Sequence, residues 1–100
     1  MAINFARTNP FLGTVGTTRF LSIATNLATQ IVLNSGYQAL TIFNMGSGTL
    51  VWGDSSIATN SGNNLFVQAR AEWLGLQDGW STYVRAESTF TLISVSEYRV

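Results

Sequence analysis

The stretch Tyr37-Gln38-Ala39-Leu40-Thr41-Ile42-Phe43-Asn44-Met45-Gly46-Ser47-Gly48-Thr49-Leu50-Val51-Trp52-Gly53 sets the fold class. Its first half alternates. Leu40 and Ile42 fall on one face and Ala39, Thr41 and Phe43 on the other, the period of two that a half-buried strand imposes. Met45-Gly46-Ser47-Gly48 then supplies residues able to take positive φ. Residues 49–53 return with Leu50 and Trp52 on a common face. The pattern predicts a β-hairpin over residues 37–53.

The same signals continue outward. Residues 18–25 and 30–34 read as strands, and Asn34-Ser35-Gly36 as a turn. Only residues 26–31 have the makings of a helical turn. Residues 54–64 are rich in Ser, Asn and Gly and read as a loop. Residues 65–76 read as one long strand, with Leu65, Val67, Ala69, Ala71 and Trp73 on its apolar face. Asp78-Gly79 is a tight-turn signal, and residues 80–86 return with Trp80, Thr82, Val84 and Ala86 opposite Ser81, Tyr83 and Arg85. The last strand covers residues 90–100. Its adjacent Leu92 and Ile93 imply either that both faces are covered or that a bulge shifts the register. Six or seven short strands in 100 residues predict an all-β fold, a small antiparallel β-sandwich or barrel of jelly-roll-like type, over residues 18–100.

Residues 1–17 read differently, as an extended N-terminal arm. Asn9-Pro10, Gly13 and Gly16 punctuate them and no period is sustained. Yet Ile3, Phe5, Phe11 and Leu12 are apolar, which a disordered tail usually avoids. The arm packs along its own domain or docks on a neighbouring subunit, and the sequence leaves both open.

Composition narrows the function. The chain has no His, no Cys and no Lys, the side chains that carry most chemistry near neutral pH. Five Arg balance five Asp and Glu, for a net charge of zero. Charged residues make up 10% of the chain, against about 25% in ordinary soluble domains. Such a neutral surface suits a protein largely covered by partners. The scattered arginines argue against nucleic acid. No apolar run approaches the length of a membrane helix, and the opening residues do not read as a secretory signal. Absent cysteine fits synthesis in a reducing cytoplasm.

Candidate chemistry is sparse. No motif brackets Asp54, Glu72, Asp78 or Glu87 as an acid–base pair, and the plain reading is solvated strand and turn residues. Arg70 and Glu72 share a strand face, and a hairpin through Asp78-Gly79 would set them across from Arg85 and Glu87. That is an exposed ladder or a polar rim at a subunit interface. The 54–64 loop offers oxygens but only one carboxylate, too little for calcium. No catalytic, metal or cofactor residue is assigned. Trp52, Trp73 and Trp80 serve the core or a subunit interface, or form a sugar-binding platform.

The residues 38–53, followed by Gly62-Asn63-Asn64-Leu65, resemble a strand–turn–strand unit of small β-rich virion proteins of tailed bacteriophages, of capsid decoration (cement) or head-fibre type. The resemblance covers roughly residues 30–67. It implies a non-enzymatic homo-oligomer, often a trimer, assembled in the host cytoplasm. It would bind the major capsid protein or another virion protein on the capsid surface and stabilise the head. Ile3, Phe5, Phe11 and Leu12 would then be arm contacts. The alternative is a carbohydrate- or receptor-binding domain of a phage fibre or tail component. A cupin-like enzyme would need metal-binding histidines, which the chain lacks.

Overall fold

A computed structural model of the chain describes residues 8–9, 13–55, 57 and 62–99, with side chains from residue 16 onward. The strands in these residues are β1 (Thr8–Asn9), β2 (Gly13–Ile23), β3 (Thr29–Val32), β4 (Ala39–Asn44), β5 (Leu50–Gly53), β6 (Asn63–Leu65), β7 (Arg70–Trp73), β8 (Ser81–Ala86) and β9 (Thr91–Arg99). They form two sheets, ordered β1-β2-β9-β4-β7 and β3-β8-β5-β6. Every pairing is antiparallel, and the pairs are nested: β2 lies against β9, β3 against β8, β4 against β7 and β5 against β6. This is a long ribbon folded over on itself, closed by the further pairs β4–β9 and β5–β8. Two packed four-stranded sheets connected in this way make an eight-stranded jelly roll, here with β1 added beside β2. The chain is all-β, as its alternation predicts.

The alternation also assigns most faces correctly. Leu40 and Ile42 point inward from one sheet, and Leu50, Val84 and Ala86 from the other, all with no exposed area. Ile23 and Ile93 complete the same buried layer. What the alternation misassigns is pairing. Residues 37–53 are not a hairpin: β4 belongs to one sheet and β5 to the other. The chain crosses the core between them instead of turning back. Residues 65–76 are likewise not one strand. A tight turn, closed by the Ala69 N–H to Phe66 O bond at 3.0 Å, carries the chain from β6 in one sheet to β7 in the other. Gln68 takes a φ of 68° in it, and Val67 is left 41% exposed rather than on the inner face.

The Asp78-Gly79 turn does form, with Trp80 N–H on Gln77 O at 3.1 Å, but it too joins different sheets. Apart from Val67, the inward side chains are the same with and without the crossing. Local pattern therefore cannot tell the two apart.

Three smaller expectations also change. Residues 29–32 are strand, not part of a helical turn. Strand β2 starts at Gly13, and within the expected arm Thr14, Val15 and Thr17 pair with β9. Leu92 and Ile93 sit in undisturbed register with Ser22 and Leu21, with Ile93 buried and Leu92 simply left outside at 46% exposure. The irregularity lies between Val15 and Thr17 instead. Gly16 is the extra residue, and the Tyr37 ring occupies the space a Cβ would need there.

The β4–β5 crossing is held by one side chain. Asn44 is fully buried at the end of β4. Its Nδ2 donates to Gly48 O at 2.8 Å and to Leu65 O at 3.0 Å. Its Oδ1 accepts from Gly46 N–H and from Thr91 Oγ1, both at 3.0 Å. All four hydrogen-bonding positions of the amide are filled. Gly46 is there for space, not for φ. Its φ is not positive, but a Cβ would overlap Thr91 Oγ1, the partner of Asn44. Asn44→Ala leaves these backbone groups without partners in the interior. It is expected to lower stability by about 3 kcal/mol, while Thr91→Val, which deletes one donor, costs about 1 kcal/mol. Urea unfolding midpoints at constant m-value measure both. An N44A variant no less stable than T91V would refute this account of the crossing.

Candidate functional site

Of the expected contact residues, Ile3, Phe5, Phe11 and Leu12 lie outside the described residues. Trp52, Trp73 and Trp80 come together. The Trp52 and Trp73 ring centroids are 5.0 Å apart at 86°, and those of Trp73 and Trp80 are 5.4 Å apart at 49°. All three are half-buried and pack against the core. Trp52 comes from β5 and Trp73 from β7, so the cluster bridges the two sheets. Edge-to-face contacts of this kind stabilise by about 0.5–1.5 kcal/mol per pair beyond area burial. Rings crossed at these angles share no common plane for a sugar to lie on.

The expected ladder of Arg70 and Glu72 with Arg85 and Glu87 does not form, because β7 and β8 lie in different sheets. Arg70 instead sits over the Phe43 ring, 5.5 Å from its centroid. Arg85 is buried in β8. Its Nε donates to Ile57 O at 2.9 Å, and its Nη1 to Ala86 O at 3.0 Å and Thr25 O at 3.5 Å. It therefore ties the β5–β6 and β2–β3 connections to the outer face of its sheet.

Glu97 is the other buried charge-bearing residue among the described residues. It points inward from β9 with no exposed area. Thr17 Oγ1 donates to its Oε1 at 2.6 Å, Asn34 N–H to its Oε2 at 2.6 Å, and Asn34 Nδ2 to its Oε1 at 2.8 Å. Arg19 Nη1 stands 3.6 Å from Oε1. Arg19 also donates through Nη2 to Val32 O at 2.8 Å, lacing β2 to the edge of β3. A cluster of this kind, a buried carboxylate beside an Arg, is often sought as a catalytic site. Here its polar atoms are spent on β2, β9 and the β3–β4 turn. Among the described residues, no group of three or more His, Cys, Asp or Glu could hold a metal ion, and no helix is long and apolar enough to cross a membrane.

With the polar groups occupied inside, the surface is what remains available. The outer face of the larger sheet is rich in hydroxyls. Register aligns Thr18, Ser96, Thr41 and Glu72 in one row, of which Thr41 is buried, and Phe20, Ser94, Phe43 and Arg70 in the next. Large apolar side chains stand out from it and from the loops: Phe20 at 68%, Phe66 at 63%, Leu27 at 62%, Phe90 at 61% and Leu74 at 53% exposed. Sequence reasoning passed over Leu27, Phe66 and Phe90. The available signal was their place inside or beside turn segments, where apolar residues have no core face to serve.

No protein-family model matches the chain, and neither does any curated protein.

The structural assignment of Glu97 is testable. Glu97→Gln places an amide NH2 against donors that need an acceptor and is expected to cost about 2 kcal/mol. Arg19→Ala, at a side chain one-third exposed, is expected to cost less than about 1 kcal/mol. Thermal and urea melts rank the two, and a reversed order would remove Glu97 from the centre of this network.

Proposed function

We propose that this chain is a structural, non-enzymatic protein of a tailed-phage virion. It decorates the capsid surface and stabilises the head through contacts with the major capsid protein, as a self-associating subunit. The observation that carries this reading is the surface. A chain with ten charged residues exposes Phe20, Leu27, Phe66 and Phe90 by 61% or more each, while Asn44, Arg85 and Glu97 are committed to holding loops. Exposed apolar area on a neutral background is a contact surface. The jelly roll agrees by fold-level analogy, since it recurs in viral shells. Among its other uses, cupin chemistry requires histidines that this sequence does not contain. The strand–turn–strand resemblance over residues 38–53 points the same way.

The test is direct. Virions of the phage that encodes the chain, purified and examined by peptide mass spectrometry and electron microscopy, should carry it in many ordered copies on the head. Its absence from purified particles would end this reading. A variant lacking residues 2–12, which removes the two-residue edge strand β1 but stops short of β2, should still melt cooperatively and lose head binding. Unchanged occupancy would remove the arm residues Ile3, Phe5, Phe11 and Leu12 from the contact.

A further inference from the structure

We propose that one end of the sandwich pairs with the same end of a second copy of this chain about a two-fold axis. This stands on the geometry of that end and not on the virion reading. Nested pairing brings four connections to it, and the strand orders set them side by side as β2–β3, β8–β9, β4–β5 and β6–β7. Backbone hydrogen bonds join each to the next. Ala86 N–H reaches Ala24 O at 3.0 Å, Glu87 N–H reaches Thr49 O at 3.0 Å, and Gln68 N–H reaches Asn44 O at 2.9 Å. The end is therefore one surface, not four independent tips.

Each connection, or the strand beside it, presents an apolar side chain. In order across the end these are Leu27, Phe90 with Leu92, Met45, and Phe66 with Val67, exposed by 62%, 61%, 46%, 41%, 63% and 41%. Met45 N–H donates to Leu92 O at 2.9 Å, so the middle of the row is continuous. With neighbouring strands about 4.8 Å apart, the row is some 15–20 Å long. The four connections (24–28, 87–90, 45–49 and 66–69) contain a single charged residue, Glu87, and the exposed Arg70 opens β7 beside the last of them.

Two features select a second copy as the occupant. The first is area. The exposed parts of these side chains sum to roughly 500 Å², near the upper end of the patches monomers leave open. Two such ends meeting bury about 1,000 Å² in total, the threshold of a specific interface. The second is charge. A different partner is usually selected by complementary charges, and this end offers only Glu87 and Arg70, one of each sign, for such a partner to read. An uncharged apolar row is complementary to itself, as a two-fold contact requires. Laid antiparallel, Leu27 of one copy meets Phe66 of the other, and the β8–β9 and β4–β5 connections of both copies lie nearest the axis.

The test is sedimentation velocity on the full chain from about 1 µM to about 100 µM. The wild type should dimerise with an affinity that added salt does not weaken, because the contact is apolar. Phe66→Ser with Phe90→Ser should weaken dimerisation at least ~10-fold at unchanged melting temperature, whereas Leu74→Ser, exposed at the opposite end, should not. The chain has no cysteine, so Ser88→Cys in the β8–β9 connection adds a single thiol near the axis. It should give a disulfide-linked dimer on mild oxidation even if the serine variants fold poorly.

A wild type that stays monomeric at the top concentration would overturn the proposal. So would self-association that survives in F66S/F90S, or a trimer. A monomer whose F66S/F90S form is stripped from virions would overturn self-pairing and leave the capsid reading standing. A dimer through this end that is absent from virions would do the reverse.

Discussion

The structure depends on satisfying backbone groups where the chain leaves one sheet for the other. In a hairpin, the ladder itself pairs most of the N–H and C=O groups up to the turn. In a jelly roll, nearly every connection crosses the core, and the groups at each crossing lose that ladder. A buried unpaired group costs on the order of 1–3 kcal/mol, so several such crossings would exceed the marginal stability of a domain of this size. Three side chains meet this demand. Asn44 closes the β4–β5 crossing, Glu97 accepts from the β3–β4 turn, and Arg85 donates to a carbonyl of the β2–β3 crossing and to one of the β5–β6 loop within its own sheet.

The same constraint explains how polar residues are used in this chain. The buried polar groups that would draw attention as chemistry are fixed by hydrogen bonds to backbone and neighbouring side chains. A group held this way is poorly placed to bind a substrate as well. On the exterior, the distinctive features are the hydroxyl-rich sheet face and the apolar loop end. The tryptophans belong to the interior side of this division. Trp52, Trp73 and Trp80 contact one another across the two sheets and close the core where β7 forms the edge.

Reading the sequence and reading the structure diverge in an instructive way at residues 37–53. The alternation of Leu40, Ile42, Leu50 and Trp52 identifies inward residues correctly, and all four do face the interior. It does not say from which side of the core they come. Gly46 shows the same limit. Its presence in a turn suggests positive φ, whereas its actual role is to leave room for Thr91 to reach Asn44. The loop residues Leu27, Phe66 and Phe90 are legible as unusual only once the four connections are known to lie together.

The sequence by itself determined the all-β class, the two faces of most strands, the positions of the Asn34-Ser35-Gly36 and Asp78-Gly79 turns, and the absence of the common reactive side chains. These follow from local sterics and period-two burial, which act over a few residues. Only the tertiary structure decided which strands pair, that residues 65–76 divide between two sheets, that Arg85 and Glu97 are buried, and that six of the exposed apolar residues gather at one end. Those properties arise from contacts between residues tens of positions apart, such as Asn34 with Glu97 and Asn44 with Thr91. No window of sequence contains both partners of such a contact.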